Sequence, residues 1–460
     1  MGCTMVCGCE GGNDGFGPGD VSDGDDAGGS GAQEITAGET YAFPSRLVEG
    51  GQAVSYSGQV ARHVLIADWM NALGNLESHI ANGNVSAESE EDVIANYVDF
   101  FLRFDSEAYG DLPHGIQTTA TPKQTTYGAL STGKDLWAKL AGNDPVGDAA
   151  SVDTLVGLPE AWTLAEWVTA LSGRIGTAVL GRVGGDAQPD GMWVTEDGWE
   201  LPVLLNASLA CGIAYSQLVD DYLDEGLLKD NVNPDESGAP FTALGHAWDE
   251  GFGYFGAPAS MGTYSLETLS GREGPSDQDV NGDGMIDLKT EVAFGWAVEA
   301  ARRDLDSQTG TAFARTLFEA FHVGRQRILA NAGALSGAEM KALEESRNTI
   351  YQTLEQVVGA TVVHHLNALS AALEVSDAAA VNRPAIASHW SAAKGYALCF
   401  QFHPGTVSGK DELGSPLQTL LGQAPFADLD NLEAFRKRVS DARDAIGDQL
   451  NLAAEDLTTW

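Results

Sequence analysis

Helical spacing governs this chain and leaves little room for any other secondary structure. Ser336 and Glu339 stand three residues apart as a capping box, in which each side chain satisfies the other's backbone N–H. They open a run that keeps helical periodicity to about residue 373, with Ile350, Leu354, Val357 and Thr361 on its apolar stripe. A second box, Thr163 with Glu166, opens a helix to about residue 180, and Pro202 sits at the first turn of another that reaches residue 224 and buries Leu205, Leu209, Ile213 and Leu218. Further helices are expected over 60–82, 88–104, 311–331, 383–402 and 432–450. No stretch alternates with the period of a strand. The expectation is an all-α protein of two packed helical bundles, 39–256 and 293–460, joined by a loop region at 257–292.

Acidic residues number 66 against 25 basic ones, a formal net charge of −41. Such a surface repels nucleic acid and anionic lipid and attracts divalent cations. The natural reading is a saline or calcium-bearing exterior, with an ordinary acidic cytosolic protein as the alternative. At 460 residues, 43% of them hydrophobic, the chain can bury a sizeable core. No stretch reads as long and apolar enough to span a bilayer.

Residues 1–38 are expected to form a disordered acidic, Gly-rich tether, since from Glu10 to Gly38 the chain is mostly Gly, Asp and Ser with almost nothing to bury. Within them, Val6-Cys7-Gly8-Cys9 resembles a bacterial lipoprotein cleavage box, with Cys9 as the lipid acceptor. The preceding residues supply neither the charged start nor the apolar run of a signal peptide. Either a leader is missing upstream or this is a plain cysteine-bearing arm. Cys211 and Cys399 fall in apolar helical patterns as small core residues, and nothing in the sequence says that they meet.

The candidate chemistry concentrates between residues 241 and 291. Phe241, Leu244, Trp248, Phe252 and Phe255 recur at steps of three and four and form a core stripe. Roughly opposite, His246 and Glu250 lie one turn apart with Asp249 on the flank. Two readings fit: a solvent-facing i,i+4 pair, or an internal surface that binds metal or organises a buried polar network. Glycines at 245, 251 and 253, each costing about 1 kcal/mol in a helix interior, point to close approach by a neighbour.

Downstream, Asp279, Asn281, Asp283, Gly284, Ile286 and Asp287 match the front of an EF-hand-type calcium loop, with Met285 lending its carbonyl. The twelfth position is Thr290, and the carboxylate of Glu291 comes one residue late. A half-hand is expected, with an exiting helix over 287–304. His364, His365 and His389 flank inward-facing stripes, as core histidines or as metal ligands, and His322 lies in a basic patch with Arg325 and Arg327. The sequence has no HExxH, phosphate loop, nucleophile elbow or Cys/His zinc cluster, so no catalytic residue is assigned.

Several segments carry a resemblance: TYAFPSR from Thr40, VSYSGQVARHVL from Val54, GHAWDEGFGYFGAP from Gly245, VVHHLN from Val362 and HWSAAKGYALCFQFHP from His389. Together they resemble the bacterial domain-of-unknown-function 4856 family, over about residues 40–460. The resemblance implies a helical fold similar to that of imelysin-like proteins, an envelope lipoprotein, and a link to iron uptake. The imelysin-like G-x-H-x-x-E motif is approached but not matched by Gly245-His246-Ala247-Trp248-Asp249-Glu250. The leading expectation is therefore a surface-anchored, non-catalytic binding protein serving metal acquisition. Calcium sits in the loop, and iron or zinc sits at His246, Asp249 and Glu250 with His365 or His389 from a facing helix. An outer-membrane uptake receptor is the expected partner, and the membrane link is a lipid anchor alone. The alternatives are a metal-dependent hydrolase with Glu250 as general base, and a calcium-stabilised structural surface component.

Overall fold

The computed structural model describes residues 40–85, 87, 89–142, 154–375, 378–402 and 410–460. Residues 1–38, Cys9 among them, lie outside the described residues. The principal helices are α1 (Ser57–Ala81), α2 (Leu164–Gly184), α3 (Leu201–Leu209), α4 (Ala243–Phe255), α5 (Gly295–Asp306), α6 (Phe313–Ala330), α7 (Gly337–Leu373), α8 (Arg383–Tyr396), α9 (Ser415–Leu421) and α10 (Leu432–Leu450). Both expected capping boxes form, Thr163 with Glu166 at α2 and Ser336 with Glu339 at α7. The only paired strands among the described residues are two-residue pieces, β1 (Thr121–Pro122) and β2 (Met285–Ile286), which run parallel.

One connected apolar cluster extends from Tyr41 to Trp460. Helix α8 packs on both α3 and α7, and α6 packs on both α4 and α7, so the packing crosses the expected division at 257–292. Trp193 and Trp199 are buried, and the Trp199 indole donates to the Gln423 carbonyl at 2.7 Å.

Three expectations change. Helix α3 continues through two π-turns, Ala210–Tyr215 and Gln217–Tyr222, and a closing 3-10 turn, Glu225–Leu228, so that the helical run Leu201–Leu228 is long and apolar enough to cross a membrane. Within the protein 83% of its apolar window is buried, which makes it a central core helix. Cys211, in the first π-turn, is joined to Cys399 by a disulfide across 188 residues.

The helix leaving the acidic loop starts at Gly295 rather than Asp287. In between, Ala293 donates to the Ser276 carbonyl, Phe294 pairs with Gly256, and Asp277 bridges Val292. These long-range bonds take the backbone groups that a helix would need.

Candidate functional site

Helix α4 organises the first candidate site. Thr242 caps it, accepting the Gly245 N–H, and Gly256 ends it in the left-handed conformation. Two of its interior glycines admit neighbours. A Cβ at Gly253 would lie 2.7 Å from the Tyr56 side chain, and one at Gly245 would lie 3.1 Å from the Arg325 guanidinium.

Of the expected trio, the structure keeps two side chains together and turns the third away. His246 Nδ1 is 2.9 Å from Asp235 and its Nε2 is 4.0 Å from Glu250, on a half-buried edge where the Phe241 ring lies 4.3 Å from the imidazole. Gln59 of α1 donates to Glu250 at 2.9 Å. Asp249 is fully buried on the other side. It accepts from Arg325 Nε at 2.8 Å and from the Tyr41 hydroxyl at 2.8 Å, while Arg325 Nη2 reaches its second oxygen at 3.4 Å.

Burial pushes the Asp249 carboxyl up, and Arg325 and Tyr41 pull it back. Burial likewise opposes the Arg325 charge, yet Asp249 raises its pKa above the ordinary guanidinium value. With both charges held at hydrogen-bonding distance the pair is ionised, and Asp249 is a structural anchor behind the His246 edge. Among the described residues no group of three or more His, Cys, Asp or Glu side chains is placed to hold a metal ion.

The acidic loop has the turn its sequence implies. Asp279 accepts from the backbone N–H of Gly282, Asp283 and Gly284, Asn281 from that of Asp283, and Asp283 from that of Met285. Gly282 and Gly284 both take positive φ, at 71° and 81°. The late Glu291 is buried and folds back on the loop, accepting from Val280 N, Asn281 Nδ2 and Asp287 N.

A residue that the sequence reading passed over completes this site. Lys123, following β1, puts its ammonium 2.8 Å from Asp283 and 4.0 Å from Asp287. The hydrogen bond to Asp283 raises the lysine pKa and lowers that of the aspartate. Gln124 clamps the same loop through Asp287 Oδ1 and the Leu288 N–H, and Thr119 binds Asp277. No local signal marks Lys123, because it reaches the loop only through the β1–β2 pairing.

His365 and His389 do meet each other, Nδ1 to Nδ1 at 3.4 Å, with Tyr396 stacked on His365 and His364 beside it. No described contact joins them to His246. Another histidine overlooked in the sequence, His63, is buried between α1 and α4. It contacts the Gly253 carbonyl at 3.2 Å and stacks on Phe294.

Burial pushes the His63 pKa down to about 4, so the ring is neutral in the fold. Between the unfolded value near 6.5 and that point, the unfolded chain takes up a proton that the native state refuses. Stability therefore falls as pH drops through this window. At pH 5 this one residue is expected to remove about 2 kcal/mol relative to pH 7.5. Urea unfolding of His63→Phe should show a correspondingly shallower loss between the two pH values, and an equal loss in both proteins would refute the assignment.

Comparison with known proteins adds one finding. No curated protein and no solved structure matches the chain. A family model described as Domain of unknown function (DUF4856) matches residues 160–450, a span that includes α4, the acidic loop and the paired histidines. Because that match covers more than half of the chain, the protein belongs to the DUF4856 family.

Proposed function

We propose that this chain is a non-catalytic binding protein of the bacterial envelope, lipid-anchored through Cys9, stapled by calcium and serving metal acquisition. The observation that carries the cation part is the meeting of Asp283 and Asp287 on the Lys123 ammonium, since this loop already gathers carboxylates around a positive charge. Asp279, Asn281, Asp283, the Met285 carbonyl, Asp287 and Glu291 are the hard oxygen donors that calcium takes. Lys123 and calcium are then competitors for one place. The buried Cys211–Cys399 bond supports a setting outside a reducing cytosol.

The acquisition role rests on the resemblance to imelysin-like proteins and on the reachable His246–Glu250 edge, with Asp249 as its support from behind. Iron is the first choice, and zinc suits the same donors. The service requires an outer-membrane uptake receptor as partner.

Calcium at a hundred times its Kd should stabilise the native state by about 2.7 kcal/mol, read as a rise in Tm. Asp279→Ala/Asp283→Ala is expected to abolish the rise, and Lys123→Met to enlarge it. A calcium-induced rise that persists unchanged in the double variant would reject the loop. Titration with iron(II) and zinc(II) compares wild type with His246→Ala/Glu250→Ala, and equal binding by the two would remove that edge from the reading.

A further inference from the structure

The junction of α5, α7 and α8 holds an arrangement that the cation-binding reading does not use. Arg303 of α5 is 2% exposed, and its Nε and Nη1 groups have no hydrogen-bond partner. Two carboxylates are near, but both are engaged by outer arginines: Glu299 with Arg302 at 2.9 Å and Asp306 with Arg272 at 2.5 Å. Arg303 is left 4.0 Å from Glu299 and 3.6 Å from Asp306.

His364 and His365 of α7 lie within reach of its charge, and His389 of α8 joins the group through its 3.4 Å contact with His365. Burial, then the charges of Arg303 and its neighbours, hold His364 far below the usual imidazole range, and burial with the adjoining imidazoles does the same for His365. Each ring is thus neutral and carries one N–H donor. Three guanidiniums, those of Arg272, Arg302 and Arg303, share two committed acids, so donors outnumber acceptors at Arg303. In a chain of net charge −41, whose overall field repels anions, such a locally basic junction is a built feature.

We propose that this junction binds a small oxyanion, a carboxylate or phosphate group, held by the buried Arg303 and His365 from beneath and by the half-exposed His389 from outside. The orphaned guanidinium N–H groups are what such a ligand satisfies, because buried donors are ordinarily paired. The 3.4 Å between the two Nδ1 atoms is also the spacing of two nitrogens bound at about 2.0–2.1 Å to a tetrahedral metal ion. Arg302 and Arg303 weigh against a cation there.

The test is calorimetric titration of the full-length, oxidised protein at pH 7 with orthophosphate, acetate and zinc(II) in separate runs. One equivalent of phosphate or acetate is expected to bind, with affinity reduced at least tenfold in Arg303→Met. His389→Phe, at a partly exposed position, should weaken binding several-fold while keeping the wild-type Tm. If Arg303→Met does not fold, His389→Phe and ligand-induced shifts of the imidazole nitrogens by NMR decide the matter. Absence of anion binding, or equal binding by wild type and His389→Phe, overturns the proposal. So does zinc binding that is lost in His389→Phe without any anion binding.

Discussion

Arg325→Met is expected to destabilise the protein by about 3–5 kcal/mol, measured by urea unfolding at pH 7, because it leaves the Asp249 carboxylate buried without its counter-charge. For a domain with a total stability of about 5–15 kcal/mol this is a large fraction. Asp249 would keep only the Tyr41 hydroxyl, and Arg325 would no longer reach the Ala53 carbonyl, now 2.9 Å from its Nη2. The second half of the prediction separates charge from packing. Asp249→Leu/Arg325→Met removes both charges together and should lose markedly less than the sum of the two single variants, since apolar replacement of a buried pair is often close to neutral. Additive losses would mean that the two residues act independently, contrary to the 2.8 Å contact between them.

The second large effect is expected from Cys211→Ala/Cys399→Ala. The bond closes a loop of 188 residues between the core helix Leu201–Leu228 and the segment following α8. On the chain-entropy account, freeing a loop of this length costs about 5 kcal/mol, and losses measured for native disulfides run at about 2–5 kcal/mol. Both cysteines are fully buried, so the double substitution also leaves a small deficit of packing. The expected result is a large fall in Tm in non-reducing buffer, and an equal Tm for wild type and variant would show that the bond contributes nothing. The same experiment bears on the setting: a protein that needs this bond cannot reach full stability where thiols are kept reduced.

The candidate sites were legible in proportion to how local they are. His246 and Glu250 stand one turn apart, so their proximity follows from helical spacing alone, and the loop from Asp279 to Asp287 folds through hydrogen bonds between residues two to five apart. Asp249 could not be read in the same way. Its partners are 208 residues upstream at Tyr41 and 76 downstream at Arg325, and the sequence marks neither as such. Arg325 was legible only as part of a basic helix face. Lys123 went unnoticed because its loop gives no periodic signal, and it meets Asp283 only where β1 pairs with β2.

By itself, the sequence determined that the chain is helical and where its capped helices begin. Caps such as Ser336 with Glu339, the apolar stripe of α4 and the glycine turns of the acidic loop are all set by backbone hydrogen bonds and sterics within a few residues. Tertiary structure alone decided that Cys211 meets Cys399, that Asp249 turns inward to Arg325, that His365 faces His389, and that α5 begins at Gly295. Periodicity says which face of a helix is buried. What that face is buried against depends on how the helices cross, and crossing is settled by the packing of the whole core.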